Sequence, residues 1–236
     1  MRFILITRYN IPVNFGAPNI DPLDVGWLVH RKNLFLNSCL PSVVNQLDEN
    51  FEWYLGFHPR TTIDFENLLP CNANVLRCGS NTEFIDQIRD RCLKDEFLVS
   101  ARLDNDDSLA RNFISQTRSF GRFYEENHIN LGDRYALNWR SGCERDILQD
   151  KLYKRDFPAS SFVCLFEKKR SGDRPLTVNN FHHAHISKHV PVANVSTGEP
   201  MWMINVHDRN VGNVIKGTEL LECSNLIMSN FGMNKE

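Results

Sequence analysis

The sequence lacks any cysteine pair at CxxC spacing, any apolar run near the length of a membrane span, any marked charge of one sign and any internal repeat. Each absence removes a class of protein. Cys39, Cys71, Cys78, Cys92, Cys143, Cys164 and Cys223 make an odd set, so neither a disulfide framework nor a zinc ribbon is expected. Reduced thiols in a cytoplasmic setting are the reading that follows. With 27 basic and 29 acidic residues, the net charge of −2 supplies no general attraction to polyanions and gives a nucleic-acid partner no support. The opening Phe3–Ile6 run is too short for a secretory signal, and no segment nears the ~20 apolar residues of a membrane helix. A protein with no membrane span and no export signal is expected.

What is present suits a folded enzyme-sized domain. The 236 residues are 42% hydrophobic, enough for a full core. Phe3–Ile6 is a continuous apolar run of the kind found in a strand buried on both faces. Leu34, Phe35, Cys39, Leu40, Val43 and Val44 recur at helical spacing within 27–46, with a kink expected at Pro41. Strands are expected over 51–57, 74–77 and 96–103, and a helix over 81–93. This alternation predicts an α/β fold with a mostly parallel central sheet flanked by helices. Residues 108–124 read as a further helix, capped by Asp107 or Ser108. The segments 129–139 and 157–166 read as strands, and 143–153 is ambiguous. Ile11–Asp24 reads as a loop, and Lys168–Arg174 as a basic loop. One domain is expected over 1–236, with its halves at 1–110 and 111–236.

Ligands of parallel sheets bind beyond the carboxyl ends of the strands. Three polar clusters fall there: Thr7-Arg8-Tyr9, His58-Pro59-Arg60 and Asp104-Asn105-Asp106-Asp107. A hydrated Mg²⁺ or Mn²⁺ takes oxygen ligands, typically one or two carboxylates plus substrate phosphates. An Asp-x-Asp at a strand end suits that task. The plainer reading of the tetrad is a helix cap with solvated acids, and Asp107 fits it well. His182, His183, His185 and His189 form a histidine-rich patch without the cysteine or acid that a zinc site would need nearby.

The segment from Arg31 to Phe57, with Leu40-Pro41-Ser42, Gln46, Asp48, Phe51 and Trp53, resembles the first helix and second strand of family 2-like glycosyltransferases of the GT-A fold. Among them it is most similar to the rhamnosyltransferase family. Arg102-Leu103-Asp104-Asn105-Asp106-Asp107-Ser108-Leu109 resembles that family's central motif. Ile4–Asn10 resembles its opening, and Met201–Asn210 its closing Trp, His and Asn element.

The resemblance implies transfer from a nucleotide diphosphate sugar, bound by the 1–110 half, to a hydroxyl of a glycan, a small molecule or a modified polymer on the 111–236 side, with inversion and with rhamnose a candidate sugar. It implies Mn²⁺ or Mg²⁺ on Asp106 and His207, with Asp104 on the ribose, the ion or a water of the ion. Thr7, Arg8, Tyr9, His58, Arg60 and Arg102 would line the donor pocket. Phe57-His58-Pro59-Arg60 departs from relatives that carry an acid there for the base. An inverting reaction needs a general base, and Glu199, Asp208 and His185 remain alternatives. The competing class is a non-catalytic nucleotide- or carbohydrate-binding module on the same fold. A hydrolase's pair of opposed carboxylates is not defined.

Overall fold

The structure is a computed structural model that describes residues 1–12, 21–62, 64–94, 97–127, 131–168, 173–209, 214–221 and 225–233. Four strands begin the main sheet: β1 (Arg2–Arg8), β2 (Glu52–Phe57), β3 (Ala73–Arg77) and β4 (Phe97–Arg102). It is completed by β6 (Arg134–Trp139), β9 (Cys164–Lys168) and β10 (Val192–Val195), in the order β10-β6-β9-β4-β1-β2-β3. All neighbouring pairs are parallel except the two made by β9. The expected mostly parallel α/β domain is therefore present.

The apolar run in β1 is buried on both faces, as its composition requires. Phe3 and Leu5 join a cluster with Phe35, Cys39, Val43 and Phe113 from helices on one side. Ile4 and Ile6 join Phe84 and Ile88 of α3 (Asn81–Arg91) on the other. Alternation along the strand sends successive side chains to opposite faces. Full burial of each such side chain contributes ~1.5–3 kcal/mol.

The helix expected over 27–46 is continuous but irregular. It runs as α1 (Val25–Leu34), a π turn over Phe35–Cys39, and α2 (Leu40–Val44). Pro41 has no N–H, and its ring clashes with the carbonyl four residues earlier. The backbone absorbs this just before the proline, where Leu40 N–H donates to Phe35 O five residues back. Asp24 caps the start, its carboxylate accepting from Trp27 N at 2.6 Å.

Residues 108–124 depart from the helix expected there. Ser108–Leu109 forms the short strand β5, and α4 starts only at Phe113 and runs to Glu126. Asn112, rather than Asp107 or Ser108, sits at its N-terminus. The reason is tertiary. β5 pairs antiparallel with β11 (Trp202–Val206), in a second sheet of order β12-β8-β7-β11-β5. The ambiguous 143–153 segment resolves as the hairpin of β7 (Ser141–Asp146) and β8 (Lys151–Asp156). β12 spans Glu219–Leu221, and α5 spans Asn225–Asn230. The strand expected over 157–166 begins later, at Cys164. Parts of five expected segments, at 13–20, 96, 129–130, 169–172 and 210, lie outside the described residues. Among the described residues, no helix is long and apolar enough to cross a membrane.

Candidate active site

β1 has β2 on one side and β4 on the other, so the chain order reverses at the β1/β4 boundary. Crevices at such reversals are where open α/β sheets bind ligands. The Asp104–Asp107 tetrad lies directly beyond β4. It forms a turn closed by Asp107 N–H donating to Asp104 O at 3.2 Å. Asn105 ties that turn to β1, donating from Nδ2 to Tyr9 O at 2.7 Å. Asn10 links further loops: its Oδ1 accepts from His58 N at 3.0 Å, and its Nδ2 donates to Thr61 Oγ1 and Pro22 O. The three polar clusters are therefore joined, largely through Asn10 and Asn105, to which the sequence motifs assign no role of their own.

The antiparallel β5–β11 pairing brings the far end of the chain to the tetrad. Asn205 N–H donates to Asp107 Oδ1 at 3.0 Å, and Asn205 Nδ2 donates to Asp106 O at 2.6 Å. Two residues on, His207 Nε2 lies 3.2 Å from Asp106 Oδ2. The same carboxylate oxygen receives Nη1 of Arg31, from the last turn of α1. Behind His207, His30 Nε2 sits 3.1 Å from its Nδ1. Arg31 and His30 were not anticipated; an Arg next to a His inside a helix carries no motif, and only the fold shows what they face.

Electrostatics separate the two central acids. Asp106 and Asp107 are 4% and 1% exposed. Burial alone would raise both carboxyls. At Asp106 the Arg31 charge and the hydrogen bonds from His207 and Arg31 outweigh it, holding the carboxyl down to about 2. At Asp107 burial dominates, reinforced by Asp106 and Asp104, and pushes the carboxyl well above its ordinary range. This corrects the expectation that Asp107 is a solvated helix cap: it is a buried acid joining two sheets.

Asp104 is half-buried beside Arg102, whose Nε is 3.9 Å from Asp104 Oδ1. Arg8 belongs to the same group: burial lowers its guanidinium, Asp104 opposes that effect and Arg102 adds to it. His183 also faces this group. Burial, then Arg102, push its imidazole down to about 4, while its Nδ1 contacts Ala159 O at 2.8 Å.

Other expected residues have different surroundings. Thr7 is fully buried, its hydroxyl accepting from Trp53 Nε1 at 2.9 Å. Tyr9 is buried with its ring stacked on Phe57 at 4.6 Å. Both side chains stand in the core rather than lining a donor pocket. His58 is half-buried and its Nδ1 accepts from Arg60 N at 3.2 Å, while Arg60 itself is exposed. Glu199 is exposed, and its carbonyl accepts from Thr197 Oγ1. His185 is exposed beside His182, ring centroids 5.3 Å apart. Asp208 is also exposed, but its carboxylate lies within 4.8 Å of ring nitrogens of His30 and His207.

The donor set suits a divalent cation. The 3.2 Å between Asp106 Oδ2 and His207 Nε2 is close to the ~3 Å between adjacent ligands of an octahedral Mg²⁺-sized ion. An imidazole whose second nitrogen meets a further polar group is a common metal-ligand arrangement. The Asn205 Oδ1 atom is buried there without a hydrogen-bond partner.

Comparison with known proteins gives one family match and several distant structural likenesses. The family described as "Putative rhamnosyl transferase" matches residues 23–219. No curated protein matches the sequence. Among solved structures, a 1–349 fragment of S. aureus TarS is similar at 13% identity and a TM-score of 0.43, covering 87% of this chain and 60% of that one. A longer S. aureus TarS structure gives 13% identity and a TM-score of 0.47, covering 87% of this chain and 37% of that chain. A Desulfovibrio desulfuricans G20 protein described as a "putative nucleotide-diphospho-sugar transferase" gives 10% identity and a TM-score of 0.40, covering 88% of this chain and 82% of that one. The present chain thus spans less than two thirds of the TarS structures' length, and the assignment rests on the family match across most of the sequence. By that match, the chain belongs to the rhamnosyl transferase family of glycosyltransferases.

Proposed function

We propose that this protein is a metal-dependent glycosyltransferase that moves a sugar, with rhamnose a candidate, from a nucleotide diphosphate carrier to an acceptor hydroxyl with inversion. The observation that carries the reading is the meeting of Asp106 Oδ2 and His207 Nε2, 3.2 Å apart, at the sheet's switch point. In this reading Asp106 and His207 hold Mn²⁺ or Mg²⁺, and Asp104 reaches the ribose or a water of the ion. Such an ion supplies positive charge that offsets the charge developing on the departing diphosphate. Arg8 and Arg102, grouped around Asp104, offer planar donors matched to phosphate oxygens. Of the three candidate bases, Asp208 is favoured, because its carboxylate stands beside His30 and His207 at the solvent-facing rim. It would take the acceptor's proton as the hydroxyl attacks. The acceptor is a glycan, a small molecule or a modified polymer. A cytoplasmic, reducing setting is part of the reading, supported by the buried thiols of Cys39, Cys78 and Cys164.

The test is incubation of the protein with a panel of nucleotide sugars and Mn²⁺, following release of the nucleoside diphosphate and, with an acceptor, the anomeric configuration of the product by NMR. Turnover by the wild type that disappears in Asp106→Asn supports the reading. No turnover with any donor, or turnover indifferent to both chelation and Asp106→Asn, refutes it.

A further inference from the structure

Arg31 occupies the carboxylate oxygen that the proposed function assigns to a metal ion. Its guanidinium is held from two sides. Nη1 donates to Asp106 Oδ2, and the guanidinium carbon lies 5.2 Å from the centre of the Trp27 ring, one helical turn earlier. Its Nε is buried and has no hydrogen-bond partner. A carboxylate oxygen has two lone pairs in its plane, and Asp106 Oδ2 already meets two groups, Arg31 and His207. A cation held between that oxygen and His207 Nε2 takes the place of the His207 contact and then lies against the guanidinium, whose positive charge opposes its arrival.

From this arrangement we propose that Arg31 is a positioning residue that couples metal binding to diphosphate binding. Without nucleotide it acts as the counter-ion of Asp106 and keeps divalent cations off. A diphosphate draws the guanidinium away, because its planar fork matches phosphate oxygens and its Nε has no bond to lose. Asp106 Oδ2 is thereby released to the ion. Linkage requires the reverse as well: the ion, by taking Asp106, frees Arg31 for the phosphates. The site then loads ion and donor together. This proposal rests on the reading of Asp106 as a metal ligand.

The experiment measures Mn²⁺ binding by the loss of free-ion EPR signal in wild type, Arg31→Met and Arg31→Lys without nucleotide, and in wild type and Asp106→Asn with a nucleoside diphosphate. Arg31→Met keeps the aliphatic stem over Trp27 and removes the charge. It should bind Mn²⁺ about tenfold or more tightly than wild type, as expected when a neighbouring positive charge is lost. Arg31→Lys should stay close to wild type. A second readout is the melting temperature. Arg31→Met should melt lower than wild type without metal and gain more from added Mn²⁺. A third needs no variant: UDP, dTDP or GDP should tighten Mn²⁺ binding by the wild type beyond the chelation measured without protein. If Arg31→Met without nucleotide binds Mn²⁺ no better than wild type while Asp106→Asn loses the binding seen with a nucleoside diphosphate, the metal site stands and the coupling is overturned. If, with a nucleoside diphosphate present, Asp106→Asn binds Mn²⁺ as wild type does, the metal-site reading itself fails and takes the coupling with it.

Discussion

The backbone N–H of Asn205 donates to Asp107 Oδ1 across 3.0 Å, so a carboxyl from the end of one sheet anchors the strand that carries His207. Asp107 makes this bond while fully buried, and burial with two neighbouring acids raises its carboxyl. Its charged form is the costly one, whereas its role as an acceptor needs only an oxygen.

Asp107→Asn is therefore expected to fold well. The amide keeps an oxygen for Asn205 and removes the penalty for ionisation. A carboxyl raised in the folded state contributes stability that is complete below its unfolded value near 4 and is lost as pH rises through its folded value. The variant should match wild type at pH 4 and melt at or above it at pH 8. A gain of ~1 kcal/mol would appear as about 2–4 °C for a chain of this size. Melting curves at the two pH values check this; a variant that melts lower at pH 8 than at pH 4, relative to wild type, contradicts it.

Asp106 runs the other way. Its carboxyl is held down to about 2 by Arg31 and His207 against the effect of burial. Its ion pair contributes above the unfolded value near 4 and is lost as pH falls through about 2. Asp106→Asn should lose turnover by two orders of magnitude or more if charge stabilisation of the leaving group depends on it. The wild type's acid limb of unfolding, followed by circular dichroism between pH 5 and 2, should be shallower in this variant.

His30 touches His207 at 3.1 Å from the side opposite Asp106. Removing a group that orients a metal-binding imidazole typically costs about 10–100-fold in metal affinity or activity. His30→Ala is expected in that range by Mn²⁺ titration, with His207→Ala weaker still. Unchanged affinity in His30→Ala would show that His207 needs no such support.

Asn10 spans the loops after β1 and β2 and the approach to α1 through three hydrogen bonds. Asn10→Ala strands the His58 N–H and the Thr61 hydroxyl. Unsatisfied buried groups cost about 1–3 kcal/mol each. Chemical denaturation should show a loss in that range, and donor affinity should weaken because the crevice loops no longer share one anchor. A neutral result would mean that water replaces the amide at little cost.

The strands β1, β2 and β4, the helix α3, the proline-perturbed first helix and the position of the acidic tetrad were all legible in the sequence, because local periodicity and buried apolar runs determine them. Resemblance to a family element pointed to the late His207, but not to its 3.2 Å approach to Asp106. What local patterns do not encode is which distant strand claims a short segment. Ser108–Leu109 reads as the start of a helix until β11 pairs with it, and that pairing makes Asp107 a buried joint instead of a cap. Tyr9 and Thr7 follow a strand whose end faces the crevice, yet packing turns their side chains into the aromatic core. His30 and Arg31 look like solvated helix residues until the fold lays α1 over the tetrad. Periodicity acts over a few residues of chain, whereas a site of this kind is assembled from contacts across about a hundred, and only tertiary packing sets those.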